Sequence, residues 1–257
     1  MSGSDFYVTL PSNSSVNYYP ENTIANYRTR LPQPIHLDLP YEVAMTEIHY
    51  PLSWPHYPEE DSVVTERYTD DSGLAMLRKF IMPVGRYLSL GHLAADMTRL
   101  FEETNDIAKD RSHIVAYDPV INRVTIHGGY TAEIMFRGKL ARVLGFEPDA
   151  YTRIGRLTVA PYPADLYAGI YNMFVYSDII EHQTVGDHHV QLMRCVHIDE
   201  TPTKFVTTVY AKPQYHRLAK SHFNSIEISI KSDQNQDLGF TYGKVIIVLH
   251  FRPARIN

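Results

Sequence analysis

Cysteine is almost absent from this chain of 257 residues, which contains only one. A single cysteine excludes an internal disulfide and a cysteine-rich zinc module, and it favours a reducing compartment. Long apolar runs are also missing, since no stretch approaches the roughly 18 residues that a membrane-spanning helix needs. The first residues, MSGSDFYVTL, lack the charged start and apolar core of a signal peptide. We therefore expect no membrane span and no secretory signal.

An excess of positive charge is lacking as well. The chain has 24 lysines and arginines against 29 aspartates and glutamates, which gives a formal net charge of -5. Proteins that coat nucleic acids usually present a strongly basic surface. The composition therefore predicts no specific recognition of nucleic acid.

Common catalytic and cofactor-binding motifs are missing. There is no nucleophile elbow of the form G-x-S-x-G and no H-E-x-x-H zinc motif. The stretch Gly239–Val245, GFTYGKV, resembles a phosphate-binding loop, but three residues separate its glycines instead of four, and a strand follows it instead of a helix. We predict a protein that is not an enzyme and that needs no cofactor.

One stretch, Tyr171–Ile198, concentrates groups that could carry chemistry: YNMFVYSDIIEHQTVGDHHVQLMRCVHI contains four of the 13 histidines and the cysteine. His188 and His189 are neighbours, and neighbouring side chains of a strand point to opposite faces, so both cannot easily bind one metal ion. His182 and Asp187 lie in the same connection and could join one of them. Solvated loop histidines are the simpler interpretation, and we predict no metal site.

Cys195 lies in the second of two strands that this stretch predicts, Met173–Ile180 and Val190–Ile198, with Gly186 as the turn between them. In a regular strand Met193 shares the face of Cys195. We therefore expect the thiol in the core as a small hydrophobic group and not as a nucleophile.

Alternating apolar and polar residues are abundant in the chain. In Ser225–Lys231 every second residue is an isoleucine, as in a half-buried strand. Lys244–Arg252 is almost continuously apolar, which is typical of a strand inside a sheet and covered on both faces. Further strands are predicted at Thr23–Ile35, Tyr41–Trp54, Met173–Ile180, Val190–Ile198 and Phe205–Ala211. Together these strands predict an all-β sandwich.

The pattern changes in an elaborated connection at about residues 55–168. Its first part, His56–Gly73, is charged and predicts an irregular surface loop with one hairpin at most. Two short helices follow, the first with Ser89 as its N-cap and the second with Gly145 as its stop. The apolar face of the first helix consists of Leu90, Leu93, Met97, Leu100 and Phe101. We predict a single domain, residues 1–257, in which this connection interrupts one sandwich.

Several stretches resemble the minor capsid (penton) protein of Polinton, or Maverick, elements, which are large virus-like DNA transposons. At the N-terminal end these are FYVTLPSNSS, YPENTIANYRTRLPQPIHL and YEVAMTEIHYPLSW. Towards the C-terminus they are FVYSDIIEHQTVGD, LMRCV and FNSIEISIKSDQNQDLGFTYGKVIIVLHFR, and HLAADMTRLFEETN and LARVLGF fit between them. The resemblance covers most of the chain and is weakest near Glu59–Asp71 and in TRIGRLTVAPYPADLY.

This resemblance implies a single jelly-roll domain that acts as a structural protein. Five copies would form a homopentameric capsomer at each fivefold vertex of an icosahedral shell, as the pentons of virophages and adenoviruses do. The partners would be further copies of the chain and the major capsid protein of the same element. The protein would be located in the capsid of the virion, after assembly in the cytoplasm or nucleus of the host cell.

Residues 1–22 are predicted as an N-terminal arm with aromatic contact residues. Phe6, Tyr7, Tyr18 and Tyr19 could tie a subunit to its neighbours, because aromatic residues are enriched at interfaces. The alternative is that FYVTL, which contains the first two of these residues, is an edge strand of the sandwich.

Two other functions are compatible with an all-β sandwich. The main alternative is a carbohydrate- or protein-binding module, because Ser53–Asp61, SWPHYPEED, offers aromatic and acidic residues for a glycan site. A metal enzyme of the cupin type is the third, and it would require histidines and carboxylates that converge on one ion.

Overall fold

The computed structural model describes residues 4–70, 72–103, 112–198 and 204–254. The chain divides into two compact units. Unit one consists of Met1–Trp54 and Ile170–Asn257, and unit two of the intervening Pro55–Gly169. The sequence predicts one domain with an elaborated connection at about residues 55–168, and in the structure that connection is a unit with a core of its own.

The strands and helices follow one another in chain order. The first segment of unit one contains β1 (Phe6–Pro11), β2 (Asn26–His36) and β3 (Tyr41–Pro51). Unit two contains a 3-10 turn (Glu59–Asp61), β4 (Val63–Thr69), β5 (Ala75–Ile81), α1 (Leu90–Glu103), β6 (Ile114–Asp118), β7 (Arg123–His127), β8 (Ala132–Phe136), α2 (Gly138–Leu144), β9 (Tyr151–Ile154) and β10 (Thr158–Val159). The second segment of unit one contains β11 (Asn172–Ser177), β12 (Gln183–Val185), β13 (His188–Val190), β14 (Leu192–His197), β15 (Phe205–Val209), β16 (His216–Arg217), β17 (His222–Ser232) and β18 (Ile246–Pro253).

Unit one is a sandwich of two antiparallel sheets. The first sheet has the order β1-β18-β3-β15, with β16 also paired to β3, and the second has the order β14-β11-β17-β2. If these eight main strands are counted along the chain, the two sheets read 1-8-3-6 and 5-4-7-2, which is the strand order of a jelly roll. The predicted fold class, an all-β single jelly roll with two short helices in its mid-chain connection, is confirmed.

Alternate residues of the facing strands fill the core of unit one. Fully buried side chains of β17 and β18 are Ile226, Ile228, Ile230, Ile247, Leu249 and Phe251. β18 lies between β1 and β3, as expected for the most apolar strand. Its outward residues Ile246 and Val248 remain partly exposed, so this strand is covered completely on its core face only.

Unit two contains the sheets β5-β4-β8-β9 and β10-β7-β6 together with α1 and α2. The hydroxyl of Ser89 accepts the N–H of His92 at 3.2 Å, as the N-cap of α1 should. α2 ends at Gly145, which has a φ of +80°. Both predicted helices are confirmed, and their buried apolar residues include Leu90, Leu93, Met97, Phe101, Leu140, Val143 and Leu144. In the described part of the chain, no helix is long and apolar enough to cross a bilayer.

The prediction of an irregular loop for His56–Gly73 is wrong over Val63–Thr69. Val63–Thr69 forms β4, an inner strand that pairs with β5 on one side and with β8 on the other. Glu66 interrupts the apolar alternation of this strand in the sequence, yet its side chain is completely buried. The last acidic residue of the predicted loop, Asp71, lies outside the described residues.

Candidate interaction surfaces

The histidine-rich stretch forms a hairpin beside the outer face of the second sheet. β12 and β13 pair antiparallel, and Gly186 makes the turn between them with a φ of +62°, as predicted. The hairpin and the sheet border a groove of about 720 Å³. Lining side chains include Phe174, Tyr176, Asp178, His182, His188, His189, Glu227, Ser229, Lys231 and Asp233. The histidine-rich stretch thus contributes to a concave surface.

Two carboxylates of the groove are engaged in bonds within the protein. Asp178 accepts the backbone N–H of Glu227 at 2.9 Å and lies 3.1 Å from the ammonium group of Lys220. Asp233 accepts the backbone N–H of Tyr171 at 2.7 Å. These bonds join a strand end or a turn to its neighbour, so both carboxylates hold the shape of the groove.

The histidines of the hairpin are presented to solvent. His188 and Asp187 are 76% and 90% exposed, with 3.2 Å between Nε2 and Oδ1. His182 and His189 are exposed as well. Within the described ranges, no group of three or more histidine, cysteine, aspartate or glutamate side chains is placed to hold a metal ion. The hairpin therefore offers titratable groups at a surface.

The prediction that Cys195 lies in the core is wrong. Its strand, β14, contains a bulge opposite Val175 and Tyr176 of β11, where Met193 is an extra residue. A bulge shifts the in-and-out alternation of a strand by one position. As a result Val196 takes the buried position and Cys195 is exposed on the outer face.

The first two aromatic residues proposed for the arm belong to β1, an edge strand of the first sheet. The ring of Phe6 stacks on Phe251 of the core, with 4.8 Å between centroids. Tyr7 points the other way and is 65% exposed. The edge-strand alternative for FYVTL is therefore the observed one, and residues 1–3 lie outside the described part. Of this pair Tyr7 is the more exposed and the better candidate for contacts with another chain.

The other two aromatic residues follow β1 in a series of turns that lies beside β2. The guanidinium group of Arg30 lies 4.4 Å from the ring centroid of Tyr18, and that of Arg28 lies 5.4 Å from the ring centroid of Tyr19. Both arginines belong to β2, so these cation–π contacts hold the turns against the sandwich. Tyr18 is exposed despite this contact.

The stretch considered for a glycan site, Ser53–Asp61, does not present its aromatic rings to solvent. Trp54 is buried in unit one and packs edge-on against Phe240, with 5.3 Å between centroids. Tyr57 is fully buried in unit two and donates its hydroxyl proton to the carbonyl of Pro83 at 2.8 Å. This stretch therefore does not supply the exposed aromatic residues that the carbohydrate-binding alternative requires.

β15, the second edge strand of the first sheet, exposes apolar side chains. Phe205 and Val209 point away from the core and are 58% and 65% exposed. Between them Thr207 shares a hydrogen bond of 2.9 Å with His49 of β3. The strand contains no charged residue, and an uncharged, apolar edge is a typical place for contact with another chain.

Sequence reasoning missed a buried polar cluster in unit two. Oε1 of Glu66 lies 2.8 Å from Nε2 of His113 and accepts the hydroxyl proton of Tyr130 at 2.6 Å. The guanidinium group of Arg78 lies 3.8 Å from Oε2 of Glu66. Burial, followed by the bond to Glu66, raises the pKa of Tyr130. These residues come from separate segments of the chain, and no spacing in the sequence links them.

Comparisons with known proteins reveal a similarity of fold. No family profile and no curated protein sequence matches the chain. Among solved structures, the mavirus penton protein is similar with a TM-score of 0.52 and 11% sequence identity, over 98% of this chain and 100% of that one. A chain of the cryo-EM structure of the Sputnik virophage is similar with a TM-score of 0.46 and 10% identity, over 97% and 98% of the two chains. At 11% identity, the likeness to the mavirus protein concerns the fold.

Proposed function

We propose that this chain is a structural capsid protein, the penton of an icosahedral virus-like particle. The observation that supports the proposal is the likeness to the mavirus penton protein, which extends over 98% of the chain and so includes the segments of both units. Jelly rolls also occur in lectins and cupins. A likeness along almost the whole chain favours the penton over these smaller domains.

In this proposal five copies form a ring at each vertex, and the major capsid protein of the same element surrounds them. The ring and its partner would be located in the capsid, after assembly in the cytoplasm or nucleus of the host cell. The sequence stretches that resemble Polinton pentons point to an element of that kind as the source. We expect no catalytic activity, because the proposed role requires only contacts between chains.

A cyclic ring needs two different contact patches on each subunit, because one patch meets another on the next copy. The exposed side chains of the two edge strands of the first sheet are candidates: Tyr7 on β1, and Phe205 and Val209 on β15. Tyr18 in the following turns is a candidate for contact with the major capsid protein. Aromatic residues are enriched in such interfaces.

The experiment is to determine the mass and the symmetry of the purified protein. Sedimentation and electron microscopy should reveal rings of about five times the chain mass of 29.5 kDa, at least at high protein concentration. A monomer over a wide range of concentration and salt would refute a ring that forms without partners. Co-expression with the major capsid protein then tests the vertex itself, and shells without fivefold density from this chain would refute the penton.

Variants can test the proposed contact residues. Tyr7→Ala and Tyr18→Ala should reduce incorporation into shells, while Tyr162→Ala, which removes an exposed tyrosine from unit two, is the matched control. Equal incorporation of all three variants would refute the assignment of Tyr7 and Tyr18 as contact residues.

A carbohydrate- or protein-binding module is the second candidate function, and the groove beside the hairpin is the observation that favours it. Phe174 and Tyr176 line its floor next to polar groups, a combination that is typical of sugar sites. A glycan array with the wild-type protein and with Tyr176→Ala tests this function. Binding that the substitution abolishes would support it, and a blank array would refute a glycan site.

A further inference from the structure

β2 is an edge strand of the second sheet, and among the residues that the structure describes no strand pairs with the other side of its backbone. Tyr27 and Thr29 turn their side chains into the core, and Arg28 and Arg30 turn theirs outward. The unpaired backbone groups of an edge strand are a template on which another chain can add a strand. The next question is which groups form hydrogen bonds with the backbone N–H and C=O groups on this side of β2.

In the middle of this edge, the side chain of Asn22 forms the hydrogen bonds that a neighbouring strand would form; we call an edge closed where its backbone groups are occupied in this way. Its Oδ1 accepts the backbone N–H of Arg28 at 2.9 Å, and its Nδ2 donates to the carbonyl of Arg28, also at 2.9 Å. A side-chain amide has an acceptor and a donor side by side. It can thus reproduce the two bonds that paired residues of antiparallel strands exchange. The N–H of Arg28 is no longer available to a second chain.

The positions on either side of Arg28 are closed in a similar way. Oγ1 of Thr23 accepts the N–H of Asn26 at 2.9 Å, and the N–H of Thr23 donates to the carbonyl of Asn26 at 2.7 Å. Oγ of Ser15 accepts the N–H of Arg30 at 3.0 Å. Ser15 has a φ of +59°, a left-handed conformation that residues other than glycine rarely adopt. Its backbone is held in an unfavourable state that positions this hydroxyl.

Two prolines extend the closure along the same strand. Pro32 and Pro34 are both exposed and lie where β2 bulges relative to β17, because four residues of β2 stand between the partners of Ser225 and Phe223. Proline has no backbone N–H and cannot donate to an added strand. Neither proline can therefore donate a hydrogen bond to a strand added at this end of β2.

β15 lacks these features. It contains no proline and no charged residue, and among the described residues its one neighbouring strand is β3. Closure is therefore a property of β2 and not of every edge strand in the sandwich.

We propose that Ser15, Asn22 and Thr23, together with Pro32 and Pro34, guard the edge of β2 against strand addition by a second copy of this chain. The side chains of Ser15, Asn22 and Thr23 thus act within the subunit. They leave the exposed side chains of the first sheet, and that of Tyr18, as the surface for regular contacts. The proposal does not depend on the capsid role, because it concerns any two copies that meet at high concentration.

The test uses the double substitution Ser15→Ala and Asn22→Ala, which removes the side-chain hydrogen bonds to the backbone of Arg28 and Arg30. Hydrogen exchange at the amides of Arg28 and Arg30 should become about tenfold faster, since each loses its acceptor. Sedimentation velocity should then detect association that grows with concentration. Asn17→Ala, an exposed asparagine of the same turns, is the matched control and should behave as wild type. Faster exchange without any association would overturn the proposal.

A second set of variants shows which strand pairs. Arg30→Pro, added to the double variant, removes an outward N–H without removing a bond to β17, and it should restore the wild-type mass. His197→Lys, added instead, places a charge on β14, the other edge strand of the second sheet, and should leave the association unchanged. The proposal would be overturned if His197→Lys abolished the association and Arg30→Pro did not. If the double variant does not fold by circular dichroism, the single substitution Asn22→Ala replaces it. That substitution removes both the acceptor and the donor that face Arg28, and an unchanged mass together with unchanged exchange at Arg28 would then overturn the proposal.

Discussion

Oε1 of Glu66 and Nε2 of His113 lie 2.8 Å apart inside unit two, and neither side chain is more than 1% exposed. A buried carboxylate is tolerated only where partners satisfy it. Here an imidazole and a phenol hydroxyl bond to Oε1, and the guanidinium group of Arg78 lies 3.8 Å from Oε2. The pair thus explains how a charged residue can occupy a core position of β4.

Removal of this carboxylate should destabilise the protein strongly. We expect Glu66→Ala to lower the free energy of unfolding by about 3–5 kcal/mol, because His113 and Tyr130 would remain buried without their acceptor. Urea unfolding measures the change. Glu133→Ala on the adjacent strand β8 is exposed and should cost about 0.5 kcal/mol or less. Equal changes in the free energy of unfolding for the two substitutions would show that the buried pair does not stabilise the protein more than an exposed residue does.

His56 should make the protein sensitive to acid. Burial, followed by the positive charges of Arg86 and Lys139, lowers the pKa of His56 to about 3, against about 6.5 for a histidine in an unfolded chain. Between these two values the unfolded chain takes up the proton and the folded chain does not. Stability should therefore fall as the pH drops from about 6.5 towards 3, by up to ~1.4 kcal/mol per pH unit.

The variant His56→Asn tests this dependence, since its amide oxygen can still accept the N–H that Tyr87 donates to Nδ1 at 3.0 Å. Urea midpoints between pH 7.5 and pH 5 should show a flatter slope for this variant than for the wild type. The same comparison with the exposed His197 replaced by asparagine is the control. Parallel slopes for wild type and His56→Asn would contradict the expectation.

Gly145 should not tolerate a side chain. At its φ of +80°, a Cβ atom would lie 2.3 Å from the carbonyl oxygen of Tyr162. We expect Gly145→Ala to cost about 1–3 kcal/mol, from backbone strain and from the clash. Gly91→Ala in α1 is the control, because its nearest neighbour would be 3.6 Å away. That substitution should stabilise the helix by about 0.5–1 kcal/mol, and thermal unfolding would reveal opposite signs.

Cys195 should react with a maleimide in the native protein, because the bulge in β14 turns it outward. Partial burial and the charge of Asp233 raise the pKa of the thiol, so less of it is thiolate at neutral pH than for a free cysteine. Labelling should be complete without denaturant, slower than for a free thiol, and faster as the pH rises. Labelling that requires urea would contradict the exposed position, and Cys195→Ser controls for reaction at other groups.

Local sequence patterns were sufficient to predict many of the strands, helices and turns of the fold. The isoleucines of β17, the apolar run of β18 and the apolar stripe of α1 each occupy the positions that their spacing predicts. Gly145 ends α2 and Gly186 forms the turn of the β12–β13 hairpin, both as predicted. In each case the deciding interaction, burial of one face or a positive φ, acts within a few residues.

The errors have a common origin in contacts between distant residues. In the sequence, β4 has the pattern of a loop because it contains the acidic residue Glu66. The partner that allows Glu66 to be buried, His113, is 47 residues away in the chain. Cys195 was assigned to the core because nothing in its own strand reveals the bulge opposite β11. The choice between an arm and an edge strand for FYVTL likewise depended on pairing with β18, at the other end of the chain. In the sequence, Asn22 is an ordinary turn residue, and its hydrogen bond with the backbone of Arg28 becomes apparent only in the folded structure.

Periodic burial is encoded residue by residue, and for that reason the order of residues was enough to predict an all-β sandwich with a long insertion. The identity of the buried polar residues, and of the sandwich edge whose backbone is hydrogen-bonded, became apparent only from the folded chain. These properties depend on pairs of groups that are far apart in the chain. Their hydrogen bonds and charges are satisfied only when the fold brings them together.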